Sequence, residues 1–113
     1  MFTSETNTVE IETTHHVDAG DIGAGPAQEF RYEYDLYRFS DDTGAIVARC
    51  YTDQPDEAHF LRIEADGQIR GLQAGDLRRP LFEQAANYLR GIGKMELSWL
   101  SERAGGYEPV QPI

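Results

Sequence analysis

The sequence predicts a single α+β domain in which an antiparallel sheet of four to six strands carries one helix on one face. Residues 29–65 alternate between apolar and polar side chains in three segments separated by turn residues, a pattern typical of antiparallel strands. A later segment repeats apolar residues at helical spacing, and a last short segment alternates again. The predicted order is therefore β-ββββ-α-β, with residues 1–28 as a flexible N-terminal segment and residues 29–113 as the α+β domain.

The N-terminal segment contains one candidate strand. Residues 8–13 place Val9 and Ile11 on one side and two glutamates on the other, which predicts an edge strand. Residues 18–28 contain three glycines and a proline, so a flexible loop is expected to follow.

The first strand of the domain is predicted at residues 29–39. From residue 29 to residue 36, the even positions carry large apolar side chains and the odd positions carry charges, so we expect the even positions to face the core. The phase changes at residues 36–37, where a β-bulge would shift the alternation. The apolar residues of the predicted core face are Phe30, Tyr32, Tyr34 and Leu36.

Three more strands and a hairpin are predicted next, at residues 45–52, 57–65 and 68–72. Asp66 and Gly67 are the clearest two-residue turn signal in the chain. In the strand before that turn, alternation places Leu61 and Ile63 inward and Phe60 outward.

The helix is predicted at about residues 77–91. Asp76 is a candidate N-cap and Pro80 falls within or near the first turn, where a missing N–H costs least. A final strand is expected at residues 94–101, followed by an irregular tail. The apolar stripe of the helix comprises Leu81, Phe82, Ala85, Ala86, Leu89 and Ile92.

Composition restricts the class of protein. With 113 residues and a single cysteine, Cys50, the chain has the length of one domain and can form no internal disulfide. No apolar run approaches the roughly 20 residues that span a bilayer. The N-terminus also lacks the basic start and apolar core of a signal peptide. These features predict a cytoplasmic protein without a membrane partner.

Charge is the strongest compositional signal. Twenty acidic residues oppose ten basic ones, which gives a net charge of −10 and a pI near 4.6. This balance disfavours direct binding to nucleic acid and favours a basic surface on a partner protein. Two other causes stay open: a salt-loving host favours acidic surfaces, and a GC-rich genome favours arginine over lysine.

No catalytic residue, cofactor or metal site is predicted. His15 and His16 lie beside Asp18 and Asp21, but adjacent residues on a strand point to opposite faces and no further ligand has a defined spacing. Cys50 is expected mid-strand as a small buried hydrophobe, although a histidine on the next strand, His59, could come near it.

The leading functional hypothesis is a non-enzymatic, acidic protein-interaction module that binds a basic surface of a partner. Carboxylates two residues apart on a strand are about 6.6–6.8 Å apart along the chain, which is similar to the spacing of consecutive phosphates. The module could therefore mimic nucleic acid and mask a nucleic-acid-binding groove, as a viral anti-defence, anti-CRISPR-like or immunity-type inhibitor does. The predicted partner-binding residues are Glu33, Asp35, Asp53, Asp56, Glu57 and Tyr51.

Two alternatives remain. The first is a small-ligand-binding or enzymatic domain with a pocket between sheet and helix, lined by Tyr32, Tyr34, Tyr88 and Trp99. The second is a structural subunit that forms a homodimer through an exposed strand edge.

Overall fold

Seven strands and one α-helix make up the fold, which a computed structural model describes for residues 9–21, 29–101 and 105–110, with backbone only for residues 18–21 and 29–31. The helix packs on one face of a single, mostly antiparallel sheet. The predicted α+β class is confirmed. The elements are β1 (Glu10–Asp21), β2 (Glu29–Asp41), β3 (Gly44–Tyr51), β4 (Glu57–Ala65), β5 (Gln68–Arg70), a 3₁₀ helix (Ala74–Arg78), α1 (Pro80–Gly91), β6 (Glu96–Ser101) and β7 (Gly106–Pro109).

The strands lie in the order β1-β2-β3-β4-β6-β7, and β5 pairs with the end of β4. All neighbours are antiparallel except β4 and β6, which are parallel. The chain between those two strands crosses over the sheet and carries α1. The seventh strand, β7, lies in the tail for which irregular structure was predicted, so that prediction was wrong.

The first strand is longer than the predicted segment 8–13. It continues to Asp21 and pairs with β2 over its whole length, from Glu10 opposite Ser40 to Asp21 opposite Glu29. The predicted loop 18–28 is therefore occupied by strand over its first four residues, and its remainder lies outside the described residues.

The helix begins at Pro80 instead of residue 77. Arg79 has φ −69° and ψ 141°, which is the extended conformation that a following proline imposes. Asp76 belongs to the preceding 3₁₀ helix and does not cap α1. The proline thus divides the predicted helix into two segments.

Two hairpin turns depend on glycine. At Gly44, φ is 154° and a β-carbon would lie 2.3 Å from the carbonyl oxygen of Glu64. Asp66 and Gly67 have φ values of 55° and 74°, as the predicted two-residue turn requires.

The core lies between α1 and the sheet face that carries the odd positions of β2. Phe39 is fully buried and its ring meets the ring of Tyr88 on the helix at 5.7 Å. The predicted core face was therefore wrong: Tyr32 is 53% exposed, and Tyr34 contacts Tyr51 on the face away from the helix. The β2 register is continuous with both neighbours, so the predicted bulge at residues 36–37 is also absent.

The bulge lies in β4. Val47 pairs with Arg62 and the next residue, Ala48, pairs with Phe60, so Leu61 is the extra residue. The extra residue shifts the alternation, so the side chains of β4 before the bulge point to the faces opposite to those predicted. Phe60 points inward and is fully buried, with its ring 4.4 Å from that of Phe82.

Candidate functional site

The six residues predicted to bind a partner lie around one end of the sheet. Glu33 and Asp35 are on β2, Tyr51 ends β3, and Glu57 begins β4. The turn between β3 and β4 holds the two remaining aspartates, and its Thr52 donates a hydrogen bond from N–H to the carbonyl of Glu33 at 2.9 Å. Strand pairing thus brings together residues that are far apart in sequence. The two remaining aspartates are Asp53 and Asp56.

Two further carboxylates belong to this region and were missed from the sequence. Glu96 is the strand partner of Glu57, and its N–H donates to the carbonyl of Asp56 at 3.0 Å. Glu108 lines the same cleft of about 470 Å³ as Glu57 and Glu96. The parallel pairing of β4 with β6 creates this arrangement, and no local pattern in the sequence signals it. We call the seven carboxylates Glu33, Asp35, Asp53, Asp56, Glu57, Glu96 and Glu108 the acidic end.

Glu33 and Asp35 hold a histidine side chain of the protein itself. Both lie on the helix side of β2, where they meet His15 of β1. The imidazole Nδ1 is 2.6 Å from Asp35 Oδ1, and Nε2 is 2.8 Å from Glu33 Oε2. These hydrogen bonds, first to Asp35 and then to Glu33, raise the pKa of His15 above its ordinary value of 6.5. Two carboxylates two residues apart thus contact both nitrogens of one planar ring and favour its cationic form.

We expect the His15 imidazole of the wild-type protein to titrate with a midpoint above pH 6.5. In Asp35→Asn the midpoint should be lower than in wild type, because that substitution removes the contact that raises the pKa most. A pKa raised in the folded state contributes stability below the unfolded pKa, and this contribution is lost as pH rises through the folded pKa. Titration of the imidazole by NMR checks both statements. An unchanged midpoint in Asp35→Asn would contradict the contact.

The opposite face of this end carries a band of rings. Tyr51 lies 5.8 Å from the ring of Tyr34 and 6.5 Å from that of His59. The guanidinium of Arg49 lies 4.7 Å from the centre of the Tyr51 ring, which is within cation–π range. A cleft of about 200 Å³ next to this band is lined by Tyr32, Glu33, Tyr51, Thr52 and Asp53. Tyrosine rings and acidic residues at one cleft are chemically suited to guanidinium or ammonium groups.

His59 joins this band to the β6–β7 side. Its Nδ1 lies 2.6 Å from Ser98 Oγ, its Nε2 lies 3.6 Å from Glu57 Oε1, and burial lowers the pKa of its imidazole. A serine–histidine contact is a requirement of nucleophilic catalysis. However, Ser98 lies within β6, between β4 and β7. This commits the neighbouring backbone N–H groups to strand pairing, so they are not directed at a reacting oxyanion.

Cys50 and His59 do not form a pair. Cys50 lies on the helix side of β3 and is 3% exposed, whereas His59 lies on the opposite face beside Tyr51. Burial raises the pKa of the Cys50 thiol to about 11, so the thiol stays protonated at neutral pH.

His15 and His16 point to opposite faces, as the strand alternation predicted. His16 stacks on Tyr34 with ring centres 5.3 Å apart, on the face opposite to the carboxylates that hold His15. Within the part of the chain that the structure describes, no group of three or more His, Cys, Asp or Glu side chains is arranged so that it could hold a metal ion. The side chains of Asp18 and Asp21 lie outside that part.

The four aromatic residues predicted to line a ligand pocket do not share one. Tyr32 and Tyr34 lie on the face away from the helix, because they contact Tyr51. Tyr88 and Trp99 lie on the helix side, where Trp99 lines a cleft of about 370 Å³ beside α1. The sheet separates the two pairs. The prediction that these four residues line one pocket between sheet and helix was therefore wrong.

Comparison with known proteins gives no assignment: no protein-family model, no curated protein and no solved structure matches this chain. In the described ranges 9–21, 29–101 and 105–110, no helix has the length and apolar character needed to cross a membrane.

Proposed function

We propose that this protein is a non-enzymatic interaction module that binds a basic segment of a partner protein at the acidic end of its sheet. The observation that carries the proposal is that Glu33 and Asp35 contact the two ring nitrogens of His15, at 2.8 and 2.6 Å. An arginine guanidinium is planar like imidazolium, offers five N–H donors, and pairs with carboxylates through two parallel hydrogen bonds. A partner arginine could therefore replace the histidine in the same place.

The surrounding surface supports the same class of partner. Asp53 and Asp56 are exposed, and Glu57 and Glu96 face each other across β4 and β6. Lys94 contributes one positive charge nearby, with its Nζ bound to the carbonyl of Pro55 at 2.8 Å. With a net charge of −10, the long-range field attracts a cationic partner and repels nucleic acid.

The finer proposal is that the partner uses its basic surface to bind nucleic acid, so that this protein acts as an inhibitor. Carboxylates at alternate strand positions repeat at about 6.6–6.8 Å, and a groove lined with arginine or lysine for phosphates can accept such a row. Tyr51 would add an aromatic anchor of the kind that interfaces favour.

A labelled hexa-arginine peptide tests the acidic end directly. We expect wild-type protein to bind it with an affinity that falls steeply with salt. The double variant Glu33→Gln/Asp35→Asn should bind about fivefold more weakly, because two exposed ion pairs of up to about 1 kcal/mol each are lost. Fluorescence anisotropy at several salt concentrations gives both results.

A matched control removes the same two charges elsewhere. Asp42 and Glu83 are exposed residues outside the acidic end, so Asp42→Asn/Glu83→Gln should stay within about twofold of wild type. Equal losses in the two double variants would show that only the overall charge attracts the peptide, and the proposed site would then be abandoned.

A further inference from the structure

Strand β1 forms a long open edge of the sheet. It spans 12 residues, about 40 Å at 3.4 Å per residue, and among the described residues it pairs only with β2. Among the described residues, β5 and β7 also have an open side but only three and four residues, and β2 extends beyond its pairing with β3 only before Tyr34. An edge of this length offers a row of backbone N–H and C=O groups to another strand.

Several devices that protect an edge are missing from β1, and the charges that it does carry are acidic. Its 12 residues include no proline, lysine or arginine, and its register with β2 runs through 12 consecutive pairs without a bulge. Proteins commonly use these features to prevent strand addition. The edge is therefore geometrically ready to accept a strand.

The charge of β1 selects the occupant. The strand sequence contains four acidic residues, Glu10, Glu12, Asp18 and Asp21. A second copy of β1 would bring its own four acids alongside, and like charges across strands are destabilising. A strand with lysine or arginine at alternate positions would instead form opposite-charge pairs. Ile11 and Val17, 39% and 45% exposed, provide apolar contact for such a strand.

We infer that β1 accepts an extended, lysine- or arginine-bearing segment of a partner protein as an additional strand of the sheet. This inference rests on the proposed function and specifies its binding mode. Backbone hydrogen bonds along β1 supply affinity that does not depend on the partner's side chains, and the acidic side chains select a basic sequence. The added strand would continue the sheet beside β1 and His15, with β1 between it and the strand that carries Glu33 and Asp35.

Two peptides separate strand addition from simple charge attraction. The first is a labelled peptide of sequence KTKVRTKV, and the second is the same peptide with every second backbone nitrogen methylated. Methylation removes N–H donors and keeps every charge. We expect the unmethylated peptide to bind at least tenfold more tightly, and the β1 amides that point away from β2 to exchange at least tenfold more slowly in its presence. Hydrogen exchange followed by NMR reports those amides.

The outcomes distinguish this inference from the proposed function. If both peptides bind equally and Glu33→Gln/Asp35→Asn weakens both, the acidic end is a binding site but strand addition is wrong. If neither peptide binds, both proposals fail. If the protein alone dimerises in light scattering and protects its own β1 amides, a second copy is the occupant and the inference is overturned.

Discussion

Replacing Phe60 with alanine is expected to lower the free energy of unfolding by about 3–5 kcal/mol, the usual cost of deleting a buried aromatic ring. Phe60 is fully buried between the sheet and α1, and its ring centre lies 4.4 Å from that of Phe82. A loss of this size is a large part of the roughly 5–15 kcal/mol by which domains are usually stable. Urea unfolding followed by circular dichroism measures it.

Leu61→Ala is the matched control for that prediction. Leu61 is the extra residue of the β4 bulge and is only half-buried, so its truncation should cost about 1–2 kcal/mol. The difference in cost between Phe60→Ala and Leu61→Ala depends on the bulge. Without the bulge, alternation would turn Leu61 to the core and Phe60 to solvent, and a larger cost for Leu61→Ala would contradict the orientation described here.

Asp76→Asn is expected to lower the free energy of unfolding by about 2–4 kcal/mol at neutral pH, because it removes the buried carboxylate from a charge cluster. The partial exposure of the two arginines to solvent limits the cost. Asp76 is 4% exposed. Its carboxylate accepts two hydrogen bonds from Arg70 at 2.8 and 3.0 Å, one from Arg79 at 2.9 Å, and one from the backbone N–H of Gln73 at 2.8 Å. These contacts tie β5 to the start of α1.

The same cluster gives a pH dependence. The hydrogen bonds from Arg70, with those from Gln73 and Arg79, hold the pKa of the Asp76 carboxyl well below its usual range. A pKa depressed in the folded state contributes stability that is fully present above the unfolded value of about 3.9 and is lost as pH falls towards the folded pKa. The difference between wild type and Asp76→Asn should therefore shrink below about pH 4. A constant difference between pH 7 and pH 2.5 would show that the cost is not electrostatic.

The sequence predicted the turns and most strand positions because these depend on local chemistry. Strand β4 has the predicted bounds, Glu57–Ala65, since turn residues lie on both sides of it. The helix start was displaced by three residues. Proline makes the preceding residue extended, and this local rule was outweighed in the prediction by the capping potential of Asp76.

The choice of core face in β2 could not be made from alternation alone. Both faces carry aromatic residues, and the helix decides between them. A 12-residue helix is about 18 Å long, whereas the 13 residues of β2 extend over about 44 Å. The helix packs on Phe39, and the first part of β2 extends beyond it. The apparent phase change at residues 36–37 therefore reflects which part of the strand is covered by the helix.

The candidate site was predicted in part. Local acidity pointed to Glu33, Asp35, Asp53, Asp56 and Glu57, but no sequence pattern indicated that His15 would contact the first two. That contact depends on the register of β1 with β2, in which His15 is opposite Asp35. Glu96 and Glu108 were missed for a similar reason. The pairing of β4 with β6 places Glu96 beside Glu57, and the pairing of β6 with β7 brings Glu108 to the same cleft.

Residue-resolved mapping of the hexa-arginine complex tests the proposed function most directly. In an NMR titration of labelled protein, we expect the largest chemical-shift changes at the acidic end, together with displacement of the His15 imidazole from Glu33 and Asp35. Changes centred on the distant turn at Asp41 and Asp42, or spread evenly over all carboxylates, would contradict a defined binding site for a basic partner.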